Sequence, residues 1–366
     1  MSRTAAFLFL CESLAWPERS IDPLKLRRSI QTKTFRWASL VSLAHEYEVA
    51  SPLSLALRKL ELGDARLSSI LNYLDELAVT VRQRNTLVLA QVREIGKILN
   101  ASNVVPVLLK GGANLLRGLY PDPAMRVMAD LDMLVPAEAL DACVGALRKA
   151  GFKLLTDYRY PREHHYPPIG HPDFPLPLEL HHRVLAHPYD RFLTADEMRE
   201  STVAISFDGV SLAVPSPTCA VVQNIAHAQL SNHDYLYGRI DLRVLVDFVL
   251  LTRTYASEID WHETRGRFDC GSARIALDFH LLCARELFRI STPLLERVGA
   301  TPRMLFSRAR YLVGHPHLLD LSVRLTRPWL LLRRELSEPS LRRRLAGNVL
   351  DSSWWTRHLR WLAGRP

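Results

Sequence analysis

Two aspartates separated by one residue, Asp130 and Asp132, have the spacing in this sequence that most directly suggests chemistry. They lie in the segment from Arg126 to Val135, whose successive residues belong alternately to an apolar face and to a face that carries the polar residues, as in a β-strand. Residues i and i+2 of a strand point to the same face, about 6.6 Å apart along the backbone. Carboxylates bind hard divalent cations, and two cations can be held about 3.5–4 Å apart. The spacing predicts a site for two Mg²⁺ ions, with Mn²⁺ as the alternative.

A third acid, Glu179, lies on another predicted strand, where Leu176, Leu178 and Leu180 alternate with Glu179 and His181. We expect this strand to neighbour the first one, with its carboxylate opposite an apolar face. Glu179 would then complete the cation site as a third ligand, or act as a general base. His181 shares the face of Glu179 and could orient that carboxylate or contact a substrate.

A glycine pair follows a short apolar run rich in β-branched residues, Val104 to Leu109, which predicts a buried strand. The turn Lys110-Gly111-Gly112 precedes a helix that begins at Ala113. Glycines let the backbone approach a phosphate group, and the N–H groups at a helix start face anions. Lys110 and Arg126 can neutralise phosphate charge, Arg126 with its two-pronged guanidinium, although either could pair with the acids instead. The turn therefore predicts a triphosphate-binding site.

These segments resemble the bacterial "uncharacterised nucleotidyltransferase" family of the polymerase-β-like nucleotidyltransferase superfamily. The resemblance is most specific between Lys110 and Val135, including Tyr120-Pro121-Asp122-Pro123. Glu179-Leu180-His181-His182 looks like the downstream Glu-Leu/Ile-His strand of the family. The segment from Leu242 to Asp247 resembles its helical Leu-Arg-x-Leu-x-Asp pattern. About two-thirds of the chain, from Trp37 to Leu251, is covered.

The resemblance implies an α+β fold, a small mixed sheet packed by helices. It also implies transfer of a nucleoside monophosphate from an NTP to an acceptor hydroxyl, with release of pyrophosphate. Asp130, Asp132 and Glu179 would be the catalytic metal ligands, and the Lys110-Gly111-Gly112 turn with Arg126 would bind the nucleotide. The acceptor, whether small molecule, peptide, protein or nucleic acid, is not implied.

Two other functions stay open. One is a catalytically inactive relative that binds nucleotide as a regulatory or scaffold module; the presence of all three acids argues against it. The other is an RNA-directed nucleotidyltransferase, tRNA-modifying or toxin-like. The net charge of +9 weighs against it, because ten arginines and three acids from Arg324 onward contribute +7 and leave only +2 for the rest. A basic groove along the whole protein is not supported.

The basic tail combines Arg342-Arg343-Arg344 with four tryptophans, Trp329, Trp354, Trp355 and Trp361. Such segments can lie on anionic membranes or contact RNA. More often the aromatic rings cover a core while the charged groups reach solvent. We therefore expect the tail to pack on the helical half of the protein.

Histidines are dense near the third acid: His164, His165, His171, His181, His182 and His187. Imidazole is a good zinc ligand, but this loop-like, proline-rich stretch has no helical HxxxH pair and no nearby cysteine, which argues against zinc. Further along, polar residues on predicted helices could close over the nucleotide, namely His227, His233, Asp241, Arg243 and Asp247. We favour ordinary capping and surface pairing for each, including Arg243 with Asp247.

The periodicity predicts a helical region over 1–100, an α+β core over 101–215 and a helical region with the basic tail over 216–366. A proline-free run from Ala65 to Leu99 predicts one long helix or two stacked ones. A hairpin is expected over Thr202 to Val214, turning at Asp208-Gly209. The five scattered cysteines never form a CxxC pair, and no apolar run is long enough to span a membrane, so we expect a cytoplasmic protein with free thiols.

Overall fold

The N-terminal part of the fold is helical. The computed structural model describes residues 1–15, 22–32, 34–60, 68–155, 164–296 and 298–337. The first five helices are α1 (Arg3–Ala15), α2 (Pro23–Ile30), α3 (Trp37–Glu46), α4 (Ala50–Lys59) and α5 (Ser68–Ala101). The proline-free run forms a single helix of 34 residues, α5, because its apolar residues keep one helical stripe throughout.

In the described part of the chain, seven strands form one mixed sheet: β1 (Val107–Leu108), β2 (Leu131–Leu134), β3 (Lys153–Leu154), β4 (Ile169–Gly170), β5 (Leu178–His181), β6 (Thr202–Phe207) and β7 (Val210–Pro215). Their order is β3-β4-β5-β2-β1-β7-β6. The pairs β2–β5 and β1–β7 are parallel, and the others are antiparallel. Three helices interrupt the strands: α6 (Lys110–Leu116), α7 (Leu140–Lys149) and α8 (Ala195–Glu200). The predicted α+β fold is confirmed.

The two faces of the central strands differ in chemistry. Leu131 and Met133 of β2 and Leu178 and Leu180 of β5 are buried together against one side of α5. Strand alternation turns the intervening residues to the opposite face, which is where the polar side chains are found. Burial of the four apolar side chains stabilises each strand by removing apolar area from water, and it thereby fixes which residues face the other way.

The C-terminal part is again helical: α9 (Pro217–Ile225), a π-helical turn (Ala226–Ser231), α10 (Asp234–Tyr237), α11 (Leu242–Thr254), α12 (Trp261–Arg267), α13 (Gly271–Phe288), α14 (Ala300–Val313) and α15 (Pro316–Ser337). One apolar core joins α1 to the C-terminal helices, since Phe7 and Leu10 of α1 are buried in the same cluster as Phe279 and Phe288 of α13. Within the described ranges, no helix combines the length and apolar character that crossing a membrane requires.

The predicted hairpin is present as β6 and β7, and its turn has the expected geometry. Asp208 and Gly209 both have positive φ angles, 48° and 77°, which match the right-handed twist of the paired strands. The strand predicted over Arg126 to Val135 is shorter, because only Leu131–Leu134 pairs with neighbours. Residues 338–366 lie outside the described ranges, and with them Arg342–Arg344, Trp354, Trp355 and Trp361. On α15, Trp329 is 53% exposed.

Asp234, at the start of α10, is a buried carboxylate whose Oδ2 has no hydrogen-bond partner within the described residues. Burial, and then repulsion by Asp241, raise the pKa of Asp234 from its usual value to about 7. The folded protein therefore binds a proton here that the unfolded chain releases near pH 4, so folding loses stability as pH rises toward 7. We expect Asp234→Asn to raise the Tm at pH 8 and to leave it nearly unchanged at pH 4. Equal shifts at both pH values would contradict this origin.

Candidate active site

A cleft of about 490 Å³ lies between the polar face of the sheet and the C-terminal helices. Its floor includes Asp132 of β2 and Glu179 of β5, which are directly paired in the parallel register of these strands. Asp130 lines the same cleft from the residue before β2 begins. The three acids predicted from the sequence are therefore brought to one cavity, although they come from chain segments almost 50 residues apart.

Asp132 is the most deeply buried of these acids and has two cationic or proton-bearing neighbours. Lys110 Nζ donates to Asp132 Oδ1 at 2.8 Å, and His181 Nε2 lies 2.7 Å from the same oxygen. Burial would raise the pKa of Asp132, but Lys110 and His181 outweigh it and hold that pKa well below its usual range. Asp132 is thus an ionised carboxylate enclosed by protein, which is the form that binds cations.

The pKa values of Glu179 and Asp130 shift in the opposite direction. Burial, followed by repulsion from Asp132, raises the pKa of each above its usual value. Glu179 Oε2 lies 3.4 Å from His165 Nε2 and 3.8 Å from His181 Nε2. Asp132, Glu179 and His181 each offer one ligand atom, and these three atoms lie within 4.8 Å of one another. The three side chains could therefore share one metal ion.

Lys110, the residue that begins α6, has an unusual backbone conformation. Lys110 has a φ of 50°, in the left-handed region that costs a residue with a side chain roughly 1–2 kcal/mol. Its ammonium group stays charged in the cleft: burial would lower the pKa of Lys110, but Asp132, Asp130 and Glu179 outweigh burial and raise it. Strain of this kind concentrates at functional sites, where the surrounding contacts maintain it.

A comparison with known families gave a match. A family model described as "Uncharacterised nucleotidyltransferase" matches residues 33–289, a range that contains every residue lining the cleft. The chain belongs to this nucleotidyltransferase family. Searches of the curated proteins and of the solved structures gave no match. The resemblance expected from Trp37 to Leu251 is confirmed and extends further toward the C-terminus, to the end of α13.

Gly111 and Gly112 were predicted in a turn before the helix, but both lie within α6, where they face different directions. A Cβ on Gly111 would lie 3.1 Å from Met128 and 3.4 Å from Arg126 Nε, and Gly111 lines the cleft. A Cβ on Gly112 would instead lie 2.9 Å from Leu131 Cδ1, on the buried side. Gly112 therefore has a packing reason for lacking a side chain, the close approach of α6 to β2, while its nucleotide-binding role stays a prediction.

A matched pair of substitutions tests this packing. Gly112→Ala is expected to destabilise the protein by about 1–3 kcal/mol, since the added methyl group overpacks a fully buried leucine. Gly145→Ala in α7 adds the same methyl group where no atom lies within 4 Å, and is expected to stabilise by roughly 0.5–1 kcal/mol. Urea unfolding of both variants measures the difference. Equal stability of the two would show that Gly112 does not pack as described.

Arg126 lies in the wall of the cleft and is held by a buried network. Its Nε donates to Asp247 Oδ2 of α11 at 3.0 Å, and Tyr120 Oη donates to Asp247 Oδ1 at 2.8 Å. Asn85 of α5 donates to the Arg126 carbonyl at 2.8 Å. Burial would lower the pKa of Arg126, but Asp247 outweighs it, so that the group stays charged. Three separate helical or loop segments thus fix one cation in the wall of the cleft.

This network corrects one sequence prediction. Asp247 was expected to pair with Arg243 one helical turn earlier, but its ion pair is with Arg126. Arg243 forms ion pairs with Glu48 and, at 3.9 Å, with Asp241. Sequence reasoning missed the Arg126–Asp247 pair and Asn85, because nothing local links residues so far apart.

Most of the cluster histidines meet at the cleft. His164, His165, His181 and His187 line it, as do His227 and His233 from the C-terminal helices. Burial, followed by neighbouring histidines, lowers the pKa of His164 to about 2, and burial followed by Lys110 lowers that of His227 to about 3. His171 packs against Phe152 and Phe174 elsewhere. The segment His164–Tyr166 pairs with β5, with His165 opposite His181, which explains why these rings surround Glu179.

Proposed function

We propose that this nucleotidyltransferase transfers a nucleoside monophosphate from an NTP to an acceptor hydroxyl and releases pyrophosphate. The observation that carries the proposal is the parallel register of β2 and β5, which sets Asp132 beside Glu179 on the cleft floor. Asp130, Lys110 and Gly111 border the same space. Carboxylates beside a lysine are groups that can hold a metal-bound triphosphate.

Asp130, Asp132 and Glu179 would hold divalent cations, Mg²⁺ or Mn²⁺. The donor set fits, because Asp132 and Glu179 lie close enough to share one ion and Asp130 lines the same cavity. A bound cation would neutralise charge on the triphosphate and polarise the α-phosphorus. Glu179 is either the third ligand or the general base; its raised pKa lets it accept a proton more readily than an ordinary carboxylate.

In the reaction, the acceptor oxygen forms a bond to the α-phosphorus while the bond from that phosphorus to the bridging oxygen breaks. Pyrophosphate leaves with the electron pair, and the acceptor proton passes to a base, for which Glu179 is the candidate. Lys110 and Arg126 would bind the phosphates. Positioning and charge neutralisation would supply most of the rate enhancement, because little covalent chemistry is left for the protein.

The charges around the cleft favour a small-molecule, peptide or protein acceptor over nucleic acid. Four cationic side chains line it, Lys110, Arg117, Arg126 and Arg243, against five acids, Asp130, Asp132, Glu179, Asp241 and Asp247. The balance of −1, before any cation binds, gives no attraction for a polyphosphate backbone beyond that of the metal ions that bind with the nucleotide. All five cysteines are free thiols, which supports a reducing, cytoplasmic location.

We also propose that the regions 1–100, 101–215 and 216–366 are distinct parts of the protein with separate roles. The middle region would supply the acids and the glycine pair. The C-terminal region would close the cleft with side chains such as His227 and Asp247, which line its opposite wall.

The direct test incubates the protein with Mg²⁺ or Mn²⁺ and each α-³²P-labelled NTP in a cell extract free of endogenous nucleotide. Label is then followed into protein, RNA and small-molecule fractions. We expect one fraction to gain label with wild type and not with Asp132→Asn. Label that appears in no fraction with any NTP or metal would overturn the proposal, and label confined to RNA would overturn the acceptor class.

A further inference from the structure

The ring of His181 is oriented in a way that the general metal-binding hypothesis does not require. The side chain is 1% exposed, so its hydrogen bonds are made within the protein. Nδ1 lies 3.3 Å from the Arg183 carbonyl oxygen, and Nε2 lies 2.7 Å from Asp132 Oδ1 and 3.8 Å from Glu179 Oε2. Carbonyl and carboxylate oxygens both only accept hydrogen bonds, so a neutral ring donates to one of these neighbours and presents a lone pair to the other. With the hydrogen on Nδ1, the lone pair of Nε2 points at two carboxylates.

A lone pair facing carboxylate oxygens is repulsive unless a positive charge lies between them. A proton on Nε2 would serve, and so would a metal ion bound by all three groups. The second arrangement matches the pattern of metal-bound histidines, in which one ring nitrogen binds the ion and the other donates to a backbone carbonyl. The ligand atoms of Asp132, Glu179 and His181 lie within 4.8 Å of one another. Neighbouring ligands of an octahedral ion with bonds of about 2.1 Å are roughly 3 Å apart, which these spacings accommodate.

We propose that His181 is a direct nitrogen ligand of the cation at this site, and that the site therefore selects Mn²⁺ over Mg²⁺. Mg²⁺ takes oxygen ligands, whereas imidazole nitrogen suits transition metals. The two carboxylates keep the site hard enough for Mn²⁺. The inference rests on the proposed function for the identity of the carboxylate ligands, but it adds a ligand and a metal preference to it.

The competing role for His181 is purely positional, with a protonated Nε2 that donates to Asp132. The two roles differ in what a bound Mn²⁺ ion reports. A directly bound imidazole nitrogen couples to the unpaired electrons of Mn²⁺ and produces ¹⁴N modulation in pulsed electron paramagnetic resonance. A histidine that only orients Asp132 leaves the ion with oxygen ligands and no such modulation.

The experiment records pulsed spectra of the full chain with Mn²⁺ alone and with Mn²⁺ plus inorganic tripolyphosphate, which contains no nitrogen. We expect ¹⁴N modulation in wild type, its loss in His181→Gln and its retention in His227→Gln. The last is a matched control, since His227 lines the same cleft outside the three-ligand group. Wild-type spectra without ¹⁴N modulation, or no bound Mn²⁺ in either condition, overturn the inference even if His181→Gln fails to fold.

A second measurement follows displacement of Mn²⁺ by Mg²⁺ through the signal of free Mn²⁺. Displacement of half of the bound Mn²⁺ from wild type is expected to require at least about a tenfold excess of Mg²⁺. His181→Gln should require about tenfold less Mg²⁺ than wild type, because glutamine offers an oxygen ligand in place of the imidazole nitrogen. Equal preference in the two proteins overturns the inference. If label transfer still occurs, the proposed function survives that result. Bound Mn²⁺ with ¹⁴N modulation, but without nucleotidyl transfer from any NTP, would instead support the nitrogen ligand and overturn the proposed function.

Discussion

Replacement of Asp132 by asparagine is expected to lower nucleotidyl transfer by roughly 10³-fold or more, because the cation site loses an anionic ligand that neutralises transition-state charge. The same change should lower the Tm of the metal-free protein. Asp132 is 3% exposed and is the acceptor for Lys110 Nζ. An amide in its place leaves that ammonium group without its hydrogen-bonded charge partner in a largely enclosed site, at a cost on the order of 1–3 kcal/mol.

Asp130→Asn is the matched comparison, since it removes the same charge two residues away. A comparable loss of activity is expected, but the Tm in EDTA should hold or rise. Burial and Asp132 both raise the pKa of Asp130, so its ionised form destabilises the metal-free folded protein at neutral pH. Glu179→Gln should resemble Asp130→Asn for the same reason.

Turnover of α-labelled NTP and thermal unfolding in EDTA measure both effects. Normal turnover by Asp130→Asn and Asp132→Asn would show that this strand is not the catalytic one. Mutual repulsion of clustered carboxylates, taken alone, would let either variant hold or gain stability. The structure separates the two, because only Asp132 has Lys110 and His181 as close hydrogen-bonding partners among the described contacts of these acids.

Asp247→Asn is expected to destabilise the protein by about 3–5 kcal/mol, since it breaks a buried ion pair and leaves the Arg126 guanidinium uncompensated. The side chains of Arg126 and Asp247 are only 10% and 5% exposed. Nucleotide affinity should fall as well, because Asp247 and Tyr120 together fix the position of Arg126 in the cleft wall.

Asp320→Asn provides the control for this stability effect. Asp320 pairs with Arg324 one helical turn away at 2.8 Å, but both side chains are more than half exposed. Water and salt screen such a pair, so its loss should cost less than about 1 kcal/mol. Urea unfolding compares the two variants. Similar losses of stability would mean that the Arg126–Asp247 pair contributes no more than a surface contact.

The local parts of the site were predictable because short sequence patterns specify them. Alternation around Asp130 and Asp132 predicted a strand with both acids on one side, and burial of Leu131 and Met133 supports that alternation. A helix after the apolar run to Leu109 was also predicted, but Lys110, Gly111 and Gly112 belong to α6 itself and do not form a separate turn before it. The three-region division and the individual site roles stay predictions.

The sequence by itself determined the elements and the chemical character of their faces, since side-chain periodicity acts over a few residues and burial of apolar stripes fixes which face is polar. The tertiary structure decided which polar groups meet. His181 lies 49 positions from Asp132, and Arg126 lies 121 positions from Asp247. Charge attraction is not directional and does not depend on sequence spacing, so any acid could have been the partner of Arg126. Only the packing of α11 against the cleft, and the register of β5 against β2, selected Asp247 and set His181 beside the acids.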